Sequence, residues 1–439
     1  MIEPGDFEKA LGLERYLTAA LPGTGGRLKS RPEDFVVEEV PLAFPAPVAE
    51  GKYTVAALRV RNWETNRLMG ELARVLNVPR ETIFFAGTKD KRAVTTQYVS
   101  LRAPEERVRA LDLKDVEVLE TRRVDRAPKI GELVGNRFVI ALRETDVPLK
   151  EAAESLHAIL ARIEAEGGFP NYFGVQRFGV VRPVTHLVGE QIVRGDLEEA
   201  VRLYVGNPQP AESDELREAR AHYDATRDAE SSFARFPRYA GFERTMLEHL
   251  ARHPRDFEGA LLSLPSNLRT MFVYAAQSLL FNRIVSRRMG EGIGLNEPRP
   301  GDLVVGLDAE GRPDKERLHA VTPLNHARVA RLCAKGAALV TGAIAGTGSR
   351  LAEGRMGEIE RDVLAEAGYR QRDFRIPHLP EVASFGTRRE LLAPLGPVSW
   401  DAGADDAGER LLLRFFLLKG SYATCLLREA MKSPAAAFG

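Results

Sequence analysis

Along residues 35–145 the apolar residues fall into short runs bounded by turn-forming residues, interrupted once by a stretch of helical spacing. "FVVEEVPLAF" (35–44) predicts a strand running into a proline-rich loop, and "YTVAALRVRN" (53–62) predicts another strand. "WETNRLMGELARVLNVP" (63–79) then changes period. Leu68, Leu72, Val75 and Leu76 share one helical face, with Thr65 as the expected N-cap and Pro79 as the stop. "TIFFAGTKDKRAVTTQYVS" (82–100) predicts strand, turn, strand, and "ELVGNRFVIALRE" (132–144) alternates like a half-buried strand. "LKEAAESLHAILARIEAEGG" (149–168) predicts an amphipathic helix ended by glycine, with Leu156, Ile159, Leu160 and Ile163 inward.

After residue 184 the character changes. Residues 206–232 are polar and acid-rich and predict an exposed excursion. Residues 267–292 predict a long helix ending at Gly290, and 299–313 predict strands joined by turns. From about 370, basic and strand-like segments return, and no fixed period marks a repeat architecture. Strands mixed with single helices, without regular βαβ alternation, give an α+β fold class.

A chain of 439 residues exceeds one ordinary core, so two or three domains are expected. A formal net charge of +0 gives no sign of a nucleic-acid partner in the total, but binding depends on the local distribution of charge. Cys333 and Cys425 lie far apart in no metal-type spacing, which suits a reducing compartment. The acidic start "MIEPGDFEKALGLERYL" is unlike a signal peptide, and no run of about 18 apolar residues suggests a membrane span. The expectation is a soluble, cytoplasmic protein.

Basic residues concentrate in two places. Arg122, Arg123, Arg126, Lys129, Arg137 and Arg143 form one group; Arg370, Arg372, Arg375, Arg388 and Arg389 form the other. Arginines beside aromatic residues suit phosphates and stacked bases, although charged strand edges have the same composition. His249 and His253 have i, i+4 spacing, but the glutamate precedes the first histidine, so HExxH is absent. The glycine-rich "PGTGGR" and "AGTGSR" lack phosphate-loop spacing, and no activated serine, cysteine or histidine stands out. That leaves carboxylates. Asp90 sits between Lys89 and Lys91 in a polar turn, where the ordinary reading is a solvated connection between strands. Glu33, Asp34, Glu38 and Glu39 keep a two-carboxylate glycosidase open as an alternative.

"KSRPEDFVVEE" (29–39), "AGTKDKRAVTTQ" (86–97), "GNRF" (135–138), "NYFGVQRFG" (171–179) and "LLKGSYATCLLRE" (417–429) occur in the order found in one family. Over roughly residues 20–432 the chain resembles the TruD family of tRNA pseudouridine synthases, and "NLRTMFVYAAQSLLFNRIVSRR" resembles its longer archaeal and eukaryotic branch. The resemblance implies isomerisation of uridine to pseudouridine, usually at position 13 of tRNA, with no cofactor and no metal. It implies a pseudouridine-synthase fold with a mixed, largely antiparallel sheet and flanking helices, interrupted by a family-specific α/β insertion. The corresponding expectation is a catalytic domain over 1–184 and 371–439, with the insertion over 185–370.

By the same resemblance, Asp90 is the essential catalytic residue and Lys29 its partner. Phe35, Asn136, Phe138 and Tyr422 contact the substrate, Tyr422 standing where family members often carry phenylalanine. The implied partner is tRNA, and the oligomeric state is not implied. The alternative within the same fold is a non-catalytic tRNA-binding or chaperone protein, which retention of Asp90, Lys29 and Asn136 disfavours.

Overall fold

The computed structural model describes residues 1–42, 47–126, 132–308 and 311–434. The chain forms two compact units. One comprises 1–2, 17–169 and 393–439; the other comprises 3–16 and 170–392. Besides the short 3–16 segment, the chain passes between units at Phe169/Pro170 and Leu392/Ala393.

The first unit is built on a sheet of nine strands among the described residues. Its main path runs Ser399–Asp405, Gly408–Leu418, Leu133–Thr145, Phe35–Pro41, Val94–Leu101, Tyr53–Arg61 and Val116–Val124, with Gly25–Arg27 and Ile83–Phe85 paired outside it. Only the Phe35–Pro41 and Val94–Leu101 pair is parallel among the described pairings of this sheet. Residues 43–44 of the first expected strand and Lys129 lie outside the described residues.

One helix, Thr65–Leu76, buries Leu68, Met69, Leu72 and Leu76 against Ala56, Leu58, Val60, Ile83, Val99 and Leu101 from the sheet. Leu68, Leu72 and Leu76 of the expected stripe thus have the partner that their spacing requires, whereas Val75 is exposed. The N-cap is Glu64, not Thr65: the Glu64 carboxylate accepts from the amides of Asn66 and Arg67. The Thr65 hydroxyl instead accepts from the Lys89 amide. Leu149–Ala165 is the expected second helix, with Leu156, Ile159, Leu160 and Ile163 buried, and the chain leaves it through Gly167 at φ 79°.

In the second unit, a 25-residue helix, Ser266–Gly290, is buried along most of its length. The 3–16 segment is held on it, since Asn282 donates to the Leu11 carbonyl at 2.9 Å and Ser286 to the Gly12 carbonyl at 2.7 Å. An antiparallel sheet carries Pro313–Ala320, Leu303–Leu307, Ala338–Ile344 and Thr387–Glu390 in that order. The acid-rich 206–232 stretch is not a loose excursion. It contains the helix Asp214–Thr226 and the start of Ala229–Arg235, and it buries Arg220 and Tyr223. Arg220 bonds Glu212 and Glu243, so part of the acidic composition pairs with buried positive charge.

Candidate active site

Lys29 follows the short strand Gly25–Arg27 and adopts φ 56°, a left-handed conformation uncommon for a residue with a side chain. The turn after it is tightly fixed. Asp34 accepts from the Arg31 amide at 3.1 Å and from Arg143 Nε at 2.8 Å. The other side of the Arg143 guanidinium grips Asp405, at 3.0 and 2.7 Å. A buried arginine with two carboxylates thus joins the 31–34 turn to the central strand Leu133–Thr145. Phe35 leaves that turn directly into the sheet and is buried.

The loop carrying Asp90 is held at two other points. The Lys89 amide donates to the Thr65 hydroxyl at 2.9 Å, and its ammonium bonds Glu39 in an ion pair buried on both sides. Arg92 donates to the Ser30 carbonyl at 3.0 Å, tying the far end of the loop to the residue after Lys29. These restraints bring together side chains 61 positions apart in sequence. Lys29 Nζ lies 3.3 Å from Asp90 Oδ1 and 4.4 Å from the Phe35 ring centroid. The Lys29 side chain is 6% exposed and that of Asp90 42%, so the ammonium is enclosed while the carboxylate opens to solvent.

The aromatic residues form a chain across three strands. Phe35 meets Phe138 edge-on at 6.2 Å, and Phe138 stacks on Phe415 at 5.2 Å. Asn136 shares the face of Phe138 two residues earlier and is the cross-strand partner of Glu39. Glu39 Oε1, Thr95 Oγ1, Gln97 Oε1 and Asn136 Oδ1 are buried without a hydrogen-bond partner among the described residues. Buried polar atoms normally find partners, and these four without one lie on three neighbouring strands of the sheet. Tyr422 stands at the head of the helix Ala423–Met431, at the corner following the strand that carries Phe415.

Both arginine groups contain structural members. Arg123 donates to the carbonyls of Gly51 and Ala103, and Arg143 is consumed by Asp34 and Asp405. Arg388 pairs with Glu360, and Arg389 bonds Asn171. Arg137, Arg370, Arg372 and Arg375 remain exposed. Three of the four carboxylates considered for a glycosidase are also closely engaged, Glu33 with Arg61, Asp34 with Arg143, and Glu39 with Lys89, while Glu38 is exposed at 3.9 Å from Arg137. His249 bonds Asp256 at 2.7 Å, and no cluster of three or more metal-ligating side chains occurs among the described residues. No helix among them is long and apolar enough to cross a membrane.

Comparison with known proteins gives a consistent result. The family model described as tRNA pseudouridine synthase D (TruD) matches residues 10–430. A "Probable tRNA pseudouridine synthase D" from Methanococcoides burtonii is 40% identical over 431 residues, covering 97% of each chain. Its namesake from Thermococcus onnurineus is 40% identical over 433 residues, covering 97% of this chain and 99% of the relative. A crystal structure of a protein named tRNA pseudouridine synthase D (TruD) from Methanosarcina mazei superposes with a TM-score of 0.85 at 39% identity, covering 100% of both chains. These matches place the chain among the pseudouridine synthases, a class of isomerases, and its α+β architecture is theirs. It belongs to the TruD family of tRNA pseudouridine synthases.

Proposed function

We propose that this protein isomerises uridine 13 of tRNA to pseudouridine, with Asp90 acting on the ribose and Lys29 as its charge partner. The observation that carries the reading is the 3.3 Å approach of an enclosed ammonium to a solvent-open carboxylate beside an aromatic cluster, in a chain of this family. A target base must leave the RNA stack to expose its glycosidic carbon, and aromatic surface replaces part of the lost stacking, worth about 1–3 kcal/mol per base. Phe35, Phe138 and Tyr422 are assigned to that surface.

Asp90 either attacks C1′ or removes the 2′ proton. In the first route an Asp90–C1′ ester forms as the N1–C1′ bond breaks and is broken when C5 attacks C1′; in the second the 2′ proton goes to Asp90 as that bond breaks and returns to C2′ as C5 bonds to C1′. In both the uracil turns, C5 gives up its proton, and N1 gains one. The reactant and product have the same composition, so the chemistry requires no cosubstrate. While detached, the uracil presents N–H groups, and we assign the Asn136 carboxamide to hydrogen-bond its edge. We assign the 170–392 unit to the family's insertion, tRNA to the substrate and the cytoplasm to the location.

The test is pseudouridine mapping on unmodified tRNA transcripts incubated with the protein and with Asp90→Ala. Pseudouridine at position 13 that disappears in the variant is expected. Modification at another position alone would refute the site, and modification by the variant would refute the catalyst. Tight tRNA binding without any pseudouridine would favour the binding-protein alternative.

A further inference from the structure

The second unit contains a cavity of about 400 Å³, within the range of small-ligand pockets. Its walls include Phe173, Arg177, Tyr274, Lys315 and the 383–389 segment. Two aromatic side chains are unusually open here, Phe385 at 74% and Tyr274 at 47% exposure. A lone exposed aromatic residue is ordinary on a protein surface. This one is held in place. The Phe385 carbonyl accepts from the Gly348 amide at 2.9 Å, and the Ser384 carbonyl accepts from the Thr347 amide at 3.0 Å. The Ser384 hydroxyl accepts from Gln277 at 2.7 Å. The ring occupies the space that a side chain at Gly348 would fill, so glycine there leaves room for it.

Positive charge lines the same cavity. Arg177 lies over the Phe173 ring at 5.3 Å, and its Nε is buried with no hydrogen-bond partner among the described residues. A guanidinium donor left unsatisfied at a cavity wall calls for an acceptor from outside, and phosphate is the ligand its fork suits. Lys315, half exposed, adds an ammonium, shared with Glu390 at 3.2 Å. An ordered, open aromatic ring beside cationic donors is the arrangement that takes a single-stranded nucleotide, base on ring and phosphate on cation.

We infer that this cavity is a second RNA subsite, which receives one unpaired nucleotide of the substrate away from Asp90. Its base stacks on Phe385 and Tyr274, and its phosphate meets Arg177. The inference rests on the RNA-modifying function proposed above. Phe385 is open to solvent, so its truncation leaves the core of the unit untouched.

The experiment measures equilibrium binding of a tRNA transcript to wild type, Phe385→Ala and Arg177→Gln across a salt series. Phe385→Ala is expected to bind about tenfold more weakly with an unchanged salt slope, as loss of one stacking contact requires. Arg177→Gln is expected to bind more weakly and to lower the slope of log K against log salt by about 1, as loss of one phosphate contact requires. Independently of any variant, wild-type protein irradiated with 4-thiouridine-substituted tRNA should crosslink within the peptide that contains Phe385. Wild-type affinity and slope in both variants, or the absence of that crosslink, would overturn the subsite. Mapping at position 13 and its loss in Asp90→Ala would stand regardless, so the two readings fail separately.

Discussion

Replacing Lys29 by methionine isolates the charge at that position. Methionine is unbranched at Cβ and similar in length, so the φ 56° backbone should be no worse accommodated than with lysine. Two unit charges 3.3 Å apart attract by about 5 kcal/mol at an effective dielectric of about 20. The Asp90 side chain is 42% exposed in the free protein, where solvent screens much of this; with RNA covering it, we take about 1–3 kcal/mol of the attraction to act differentially on the reaction. Pseudouridine formation under single-turnover conditions, with tRNA saturating, should therefore slow by about 5- to 150-fold. Stability should move the other way or not at all. The substitution removes an enclosed ammonium, and the carboxylate left behind already faces water, so melting should stay the same or rise slightly. A rate within twofold of wild type would refute the electrostatic role. A fall in melting temperature of several degrees would show that Lys29 is structural, and a loss of tRNA affinity equal to the loss of rate would assign it to ground-state binding.

Glu39→Gln should destabilise the protein by about 3–5 kcal/mol in denaturant unfolding, because it leaves the Lys89 ammonium buried without its counterion. Restoring stability with Glu39→Gln/Lys89→Met while activity stays low would place the pair in positioning the Asp90 loop; an unchanged single variant would contradict the buried pairing. Burial, with Arg283 adding to it, pulls the His186 pKa down to about 4 from its ordinary value. Between about pH 6.5 and 4 the unfolded chain thus binds the extra proton, so this group's stability is complete above 6.5 and falls by up to about 3 kcal/mol toward pH 4. His186→Phe should flatten the pH–stability curve over that window, and an unchanged curve would show that the imidazole is not held neutral.

Local pattern carried the elements whose information is local. The stripe of Leu156, Ile159, Leu160 and Ile163 has its glycine exit within the same segment, and the alternation at 132–144 falls in one strand of the sheet. Pairings across long separations had no such signal. Nothing near Glu39 marks Lys89 as its partner, and nothing near Arg143 marks Asp34 and Asp405. Each of the two groups of basic residues therefore divides into buried struts and exposed side chains. Thr65 shows the same limit at a smaller scale: its hydroxyl bonds the Asp90 loop, a partner 24 residues away that the local pattern does not mark, and the cap falls to Glu64. The cluster of Lys29, Asp90, Phe35 and Phe138 was reached through family resemblance, since composition alone left Asp90 as a turn residue. The unpartnered oxygens of Glu39, Thr95, Gln97 and Asn136 become visible only once the strands are paired.

The site combines two unfavourable features in one residue. Lys29 holds a left-handed backbone, a strain of about 1–3 kcal/mol, and an enclosed charge whose carboxylate partner faces solvent. Such a residue keeps its place only where its surroundings impose it, and here they do. The Asp34–Arg143 bond fixes the turn after Lys29, Arg92 holds the Ser30 carbonyl, and Lys89 with Thr65 fixes the opposing loop. The carboxylate is then presented to water at a set distance from the ammonium before any substrate arrives. In the proposed reaction, a nucleotide covering Asp90 removes that water, and the same 3.3 Å contact acts through a lower dielectric. The pair is consequently weakest in the free protein and strongest in the closed complex. An open carboxylate beside an enclosed ammonium is therefore a form of preorganisation: the positive charge is fixed in advance, and substrate burial brings its field to bear on the reacting sugar.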